Sequence, residues 1–161
     1  MDGLESEPAL EPVEPGYRHV LRVRAALSWL VFTIGIVVLD QMLLDGSRAQ
    51  GWPIGVAVFL ALAAILIAPE RAYARLRYRL TDRLLQFVRG WLFHIDTIVP
   101  LVRVQHLDVV RGPLDKLFGT ASLVVHTAGT HNSTVTVPGL APERAAAMRD
   151  AIREHVRTDF E

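Results

Sequence analysis

The sequence contains no cysteine, which removes disulfide frameworks, cysteine-ligated zinc sites and thiol nucleophiles from any account of its stability or chemistry. It has no surplus of either charge: 17 Lys plus Arg balance 17 Asp plus Glu, whereas a nucleic-acid binder needs excess bases to displace counterions from phosphates. Lysine is almost missing, with Lys116 standing against sixteen arginines, a bias that points to a GC-rich bacterial genome. No Gly-x-x-x-x-Gly-Lys phosphate loop, dinucleotide fingerprint or Gly-x-Ser-x-Gly nucleophile turn occurs. At 161 residues the chain can hold one small domain with additions, not two full-sized enzyme domains.

What is present is long apolar runs and an uneven distribution of charge. Residues 25–39 are uncharged and the segment continues through Asp40 to residue 44, about 20 residues in all. That length crosses a ~30 Å hydrocarbon core at 1.5 Å per residue. A second uncharged run, residues 51–68, carries Pro53 near its start, where a missing N–H costs nothing. A soluble helix keeps a polar face and neither run has one, so two membrane spans are expected. Only residues 45–50 separate them, which predicts an antiparallel hairpin with both ends on one side of the bilayer.

Arg18, Arg22 and Arg24 precede the first run, and Arg71, Arg75, Arg77, Arg79 and Arg83 follow the second, against Arg48 in the turn. The positive-inside bias then puts both termini in the cytoplasm. Trp29 and Trp52 fall near span ends, where indole rings favour the headgroup interface. Asp40, about a turn from the outer end, is expected to be an interfacial acid reaching water. Ser47 and Ala49 offer a small-x-small pattern, but the long acidic region before the first run argues against a cleaved signal peptide.

Residues 1–17, with five acids and several prolines, are expected to form a disordered tail. The hairpin occupies residues 18–72, and residues 73–161 form a cytoplasmic domain. There the apolar pattern alternates: Leu76, Tyr78 and Leu80 share one face while Arg75, Arg77 and Arg79 share the other, the period of a half-buried strand. Further strands are expected at 84–89, 91–99, 102–110, 121–127 and 134–137, punctuated by Gly90, Pro100, Gly112-Pro113, Gly119 and Gly129. Along 102–110 the alternation slips near Gln105 and His106, which predicts a β-bulge. From Pro142 the chain reads as a helix, with Ala145, Met148, Ile152 and Val156 as one apolar stripe. The fold class is α+β.

Several runs carry a resemblance beyond this pattern: Tyr78-Arg79-Leu80-Thr81-Asp82, Ile98-Val99-Pro100, Arg111-Gly112-Pro113-Leu114, Leu117-Phe118-Gly119-Thr120-Ala121, Thr127-Ala128-Gly129 and Pro138-Gly139-Leu140. With the preceding hairpin, they resemble the YdbS-like bacterial pleckstrin-homology (PH) domain family of membrane proteins over residues 17–157. The resemblance implies an antiparallel β-barrel or split barrel capped by a C-terminal helix, held at the cytoplasmic face of a bacterial inner membrane, and no enzymatic activity. It also implies a multi-spanning membrane protein as partner, with a second copy of the chain as the other option. The lipid-reading pocket of eukaryotic PH domains depends on clustered bases in the first loop, and the corresponding Thr81-Asp82-Arg83 has one base and one acid.

Candidate chemistry is sparse. His126 and His131 flank a turn but lack the further ligands a zinc site needs, so no metal and no cofactor is expected. His94 with Asp96, and His106 with Asp108, suggest general-base pairs without a nucleophile, so no catalytic residue is assigned. Gly112-Pro113 and Phe118-Gly119 read as turn chemistry. Arg71, Arg75 and Arg77 are the candidate contacts to anionic lipid, each base near such a leaflet gaining roughly 1 kcal/mol. The leading expectation is a non-enzymatic membrane protein whose PH-like domain docks a membrane partner. Anionic-lipid sensing is the alternative.

Overall fold

The first helix is longer than the membrane requires. In the computed structural model, which describes residues 9–90, 93–128 and 134–158, α1 runs over Tyr17–Leu43, 27 residues. At 1.5 Å per residue that is about 40 Å, some 10 Å more than the hydrocarbon core. The surplus is the stem from Tyr17 to Arg24, the charged stretch before the apolar run. The second helix, α2 (Trp52–Ala74), likewise continues through Pro69 for a turn and a half. The two are antiparallel: Arg22 of α1 pairs with Glu70 of α2 at 2.6 Å at one end. At the other end, the Gly51 backbone N–H is donated to both Asp40 carboxylate oxygens, at 3.1 and 3.0 Å.

Very little of the apolar stretch is covered by protein: Val31 is 72% exposed, Met42 75% and Phe59 71%. A helix apolar on all sides and uncovered by its own chain has a bilayer as its medium. Asp40 departs from expectation. It is buried, not reaching water, because its carboxylate turns under the connecting loop and accepts the N–H that opens α2.

Beyond the hairpin the chain forms two antiparallel sheets. In the first, β1 (Glu11–Pro12), β2 (Arg77–Leu80), β3 (Leu84–Arg89) and β4 (Ile95–Pro100) lie in that order. In the second, β5 (Val104–Val110), β6 (Ala121–Thr127) and β7 (Thr134–Leu140) do. A short helix, α3 (Pro113–Leu117), joins β5 to β6, and α4 (Pro142–Thr158) packs against β5 and β6. The sheets do not close into one cylinder, so the domain is a split barrel capped by α4. Leu76 and Tyr78 are buried, as are Ala145, Met148 and Ile152 on α4, which bears out both alternation and stripe. The register slips between Val104 and His106, where the bulge is expected.

Four boundaries differ from the sequence reading. Strand β4 starts at Ile95, residues 91 and 92 of the expected strand lying outside the described residues. β5 starts at Val104, because Leu101–Arg103 form a single 3-10 turn. β7 runs on through Pro138 and Gly139, since a proline is tolerated on an edge strand and the register shift opposite Ala121–Leu123 absorbs the irregularity. The largest difference is in the tail. Glu11–Pro12 pairs with Arg77 and Tyr78 as an edge strand, the Glu14 N–H is donated to the Gly139 carbonyl at 2.7 Å, and Val13 is buried. Residues 11–17 are therefore built into the domain, because Val13 and Tyr17 supply apolar surface that the barrel's open seam needs.

That seam is closed by the stem. Val13, Tyr17 and Val20 belong to the same core cluster as Leu85, Phe87, Leu123, Val137 and Met148. Gly139 has φ +73, and a Cβ there would lie 2.6 Å from Cγ of Tyr17. Only glycine lets the Tyr17 ring lie flat on β7.

Candidate functional site: juxtamembrane face and free sheet edges

The three arginines singled out for lipid contact divide between two elements. Arg71 lies in the last turn of α2, where a cation also favours the helix dipole, and Arg75 caps that helix one turn on. Both are exposed, about one and two turns past Ala68, the last residue of the apolar run. Arg77 opens β2, exposed, opposite Val88 and Pro12. Arg71 and Arg75 thus form one basic turn where the chain leaves the membrane, and Arg77 is part of the first sheet. Farther on, Arg79 donates to Gln86 at 2.6 Å, and Gln86 donates to Asp96 at 2.7 Å, a polar row across β2, β3 and β4. Asp96 is thereby engaged with Gln86, and no His94–Asp96 bond accompanies it among the described residues.

The first sheet has one protected edge and one open edge. On the protected side, β1 covers part of β2, and Arg144 of α4 donates to both carboxylate oxygens of Glu11 at 3.0 and 2.9 Å. Burial pushes the Tyr78 phenol above the ordinary tyrosine range, the hydrogen-bonded Arg144 guanidinium acting against it. That same bond, then Glu11, raises Arg144 against the opposing effect of burial. On the open side, β4 pairs only with β3 among the described strands. Its Ile98 is 57% exposed, with Ile95 and Phe93 also exposed. Such an edge offers unpaired backbone groups beside apolar side chains.

The second sheet keeps the His106–Asp108 pair expected from the sequence and adds His126 to it. His106 and His126 are register partners on β5 and β6, with ring centroids 5.9 Å apart. Asp108 faces both, its carboxylate 3.0 Å from Nε2 of His106 and 3.4 Å from Nε2 of His126. Thr134 lies 3.2 Å from Nδ1 of His126. The bulge at Gln105 is the signal that could have found this pairing, since it sets which β5 residue opposes His126. His131, the partner expected for His126, lies outside the described residues. No three-ligand metal group is present among the described residues. His106 stands 69% exposed on an open face, so the cluster forms a surface polar patch.

The glycine-proline run at residues 111–121 has a local structural role. The buried Asp115 carboxylate accepts the Gly112 N–H at 3.0 Å and the Thr120 hydroxyl at 2.9 Å. Arg111 donates to the Thr120 carbonyl at 3.3 Å, and Gly119 takes φ +66. The loop is a self-capped turn, and Phe118 at its end stacks on His19 of the stem.

Comparison with known proteins agrees with this architecture. The sequence profile of the family described as "Bacterial PH domain" matches residues 21–156, which takes in the hairpin as well as the sheets. The chain is 34% identical over 133 residues to the UPF0699 transmembrane protein YdbS of Bacillus subtilis (strain 168), covering 80% of this chain and 79% of that one. No solved structure matches.

Proposed function

The chain belongs to the bacterial PH domain family and is a membrane protein of the YdbS type, and from that premise we propose that it is a non-enzymatic assembly module. Its PH-like domain docks a membrane protein partner by strand addition at β4. The observation that carries this reading is the open edge itself: β4, six residues long, pairs on one side only among the described strands, so alternate residues turn backbone groups outward, and Ile95 and Ile98 within it are exposed. Strand addition uses such an edge, main-chain bonds giving affinity and alternate side chains giving specificity. The arginine distribution supports an orientation with both termini in the cytoplasm, at the inner membrane of a bacterial cell, where the partner's cytoplasmic segment meets the edge.

The test is to extract the tagged full-length protein with its native lipids, crosslink it, and identify by mass spectrometry what is recovered. A recurrent membrane protein in stoichiometric amount, lost when Ile98 is replaced by Lys, is the expected result. Recovery of a partner-free monomer overturns the reading. A second reading, anionic-lipid sensing, is favoured by the exposed Arg71 and Arg75 at the membrane exit. In that case binding of the reconstituted protein to anionic bilayers falls with salt and with Arg71→Ala plus Arg75→Ala.

A further inference from the structure

Between the α1 stem and the two sheets lies a cleft of about 450 Å³, within the size range of small-ligand sites. Leu21 and Arg24 line it from α1, Phe87 and Arg89 from β3, Ser122 from β6 and Thr136 from β7. Its electrostatics are one-sided. Arg24 and Arg89 both reach it, and no carboxylate lines it among the described residues. Three other arginines do pair with acids: Arg22 with Glu70, Arg144 with Glu11 and Arg149 with Asp150. Arg24 and Arg89 have no ion-pair partner among the described residues, nor do the hydroxyls of Ser122 and Thr136 have a hydrogen-bond partner there.

The position of the cleft matters as much as its charge. Arg24 is the last charged residue before the uncharged run that enters the bilayer, so its end of the cleft lies at the headgroup layer. The cleft then extends along the stem by the two turns between Arg24 and Tyr17, about 10 Å. Two guanidinium forks with adjacent hydroxyls are the donor set that phosphate oxygens take up, and arginine binds phosphate bidentately. Leu21 and Phe87 give the same cleft apolar wall, which suits a glycerol backbone better than a bare ion.

We propose that this cleft binds a phosphate ester, with Arg24 and Arg89 holding the phosphoryl oxygens and Ser122 and Thr136 donating to them. The phosphoryl group is either that of a lipid headgroup or that of a soluble glycerol phosphate. The site rests on the membrane placement of the hairpin and is independent of docking at β4, and it is distinct from the exposed basic turn at Arg71 and Arg75.

The test uses the full-length protein, purified without partner in a zwitterionic detergent, with its thermal unfolding midpoint followed during titration. The probes are dihexanoyl phosphatidylglycerol, below its micellar concentration, and glycerol 3-phosphate. The expected result is saturable stabilisation by the lipid, with affinity about tenfold or more weaker in Arg24→Gln/Arg89→Gln and unchanged in Arg71→Gln/Arg75→Gln, which removes the same charge from the neighbouring turn. An equal effect of glycerol 3-phosphate, lost in the same variant, assigns the site to soluble esters and supports the shared chemistry. Saturation that persists in Arg24→Gln/Arg89→Gln, or no saturation by either probe, overturns it. Should the double variant not fold, Arg24→Gln alone, an exposed position on a helix, must still weaken binding severalfold. With no partner present, failure here leaves docking at β4 standing, and failure of the crosslinking experiment leaves this site standing.

Discussion

Two buried polar side chains show how single residues hold this architecture. Asp40 sits at the turn between the two spans with both carboxylate oxygens on the N–H of Gly51, an otherwise exposed residue that opens α2. Asp40→Ala removes this bond, for which water substitutes in part at the exposed Gly51, at a cost of about 0.5–1.5 kcal/mol, while Asp40→Asn keeps one acceptor oxygen and loses less. Thermal midpoints of the three proteins in the same lipid check the order wild type, Asn, Ala. Tyr78 makes the second prediction. Its folded-state pKa is raised, chiefly by burial, so between the ordinary tyrosine pKa and that raised value the folded chain holds a proton the unfolded chain has lost. Stability contributed by the neutral phenol is complete below about pH 10 and declines as pH rises above it. Tyr78→Phe lacks this decline and the bond to Arg144. It is less stable than wild type by about 1 kcal/mol at pH 8, and the gap narrows at pH 10–11 in denaturant melts.

Elements meet where glycine permits, as at the join of α1 to β7. At Gly139 an alanine Cβ would collide with the Tyr17 ring while the backbone held φ +73. The left-handed conformation alone costs a side chain about 1–2 kcal/mol and overpacking about 1–3 more. Gly139→Ala therefore lowers stability by roughly 2–5 kcal/mol and exposes the stem, read as faster proteolysis near Arg18 and Arg22. Most elements are legible in the sequence because one physical signal dominates each. Charge-free length marks α1 and α2, period two marks β2, and the stripe from Ala145 to Val156 marks α4. What is not legible depends on partners distant in sequence. Glu11 and Val13 look like a solvated tail until β2 and the seam are placed beside them. Asp40 looks interfacial until the loop folds over it. Of the candidate sites, the basic turn at Arg71 and Arg75 is legible from its position after a span, whereas the cleft joins Arg24 to Arg89 across 65 positions that no local pattern links.

At the scale of the whole molecule, membrane anchor and PH-like domain are one packing unit. The sequence places a boundary at residue 73, yet Val13, Tyr17 and Val20 lie on the far side of the hairpin and are 2%, 5% and 0% exposed within the domain's core. At about 1.5–3 kcal/mol for each large apolar side chain buried, the three contribute roughly 5–9 kcal/mol as an upper estimate. That is comparable to the entire net stability of a domain, about 5–15 kcal/mol. A fragment of residues 70–161 accordingly lacks a cooperative thermal transition and shows collapsed amide dispersion in NMR spectra. Replacing the two spans by a flexible linker, so that residues 9–24 are joined to 70–161, restores both, because the stem needs only to reach the seam and not to cross a bilayer. A fragment 70–161 that melts cooperatively at the midpoint of the linked version would show that the stem is attached to the core without supporting it. The linked version also carries Arg24 and Arg89 into a soluble protein. Retention of the stem's packing there, measured by the Tyr17 ring contact to Gly139, determines whether the cleft keeps its shape outside the membrane.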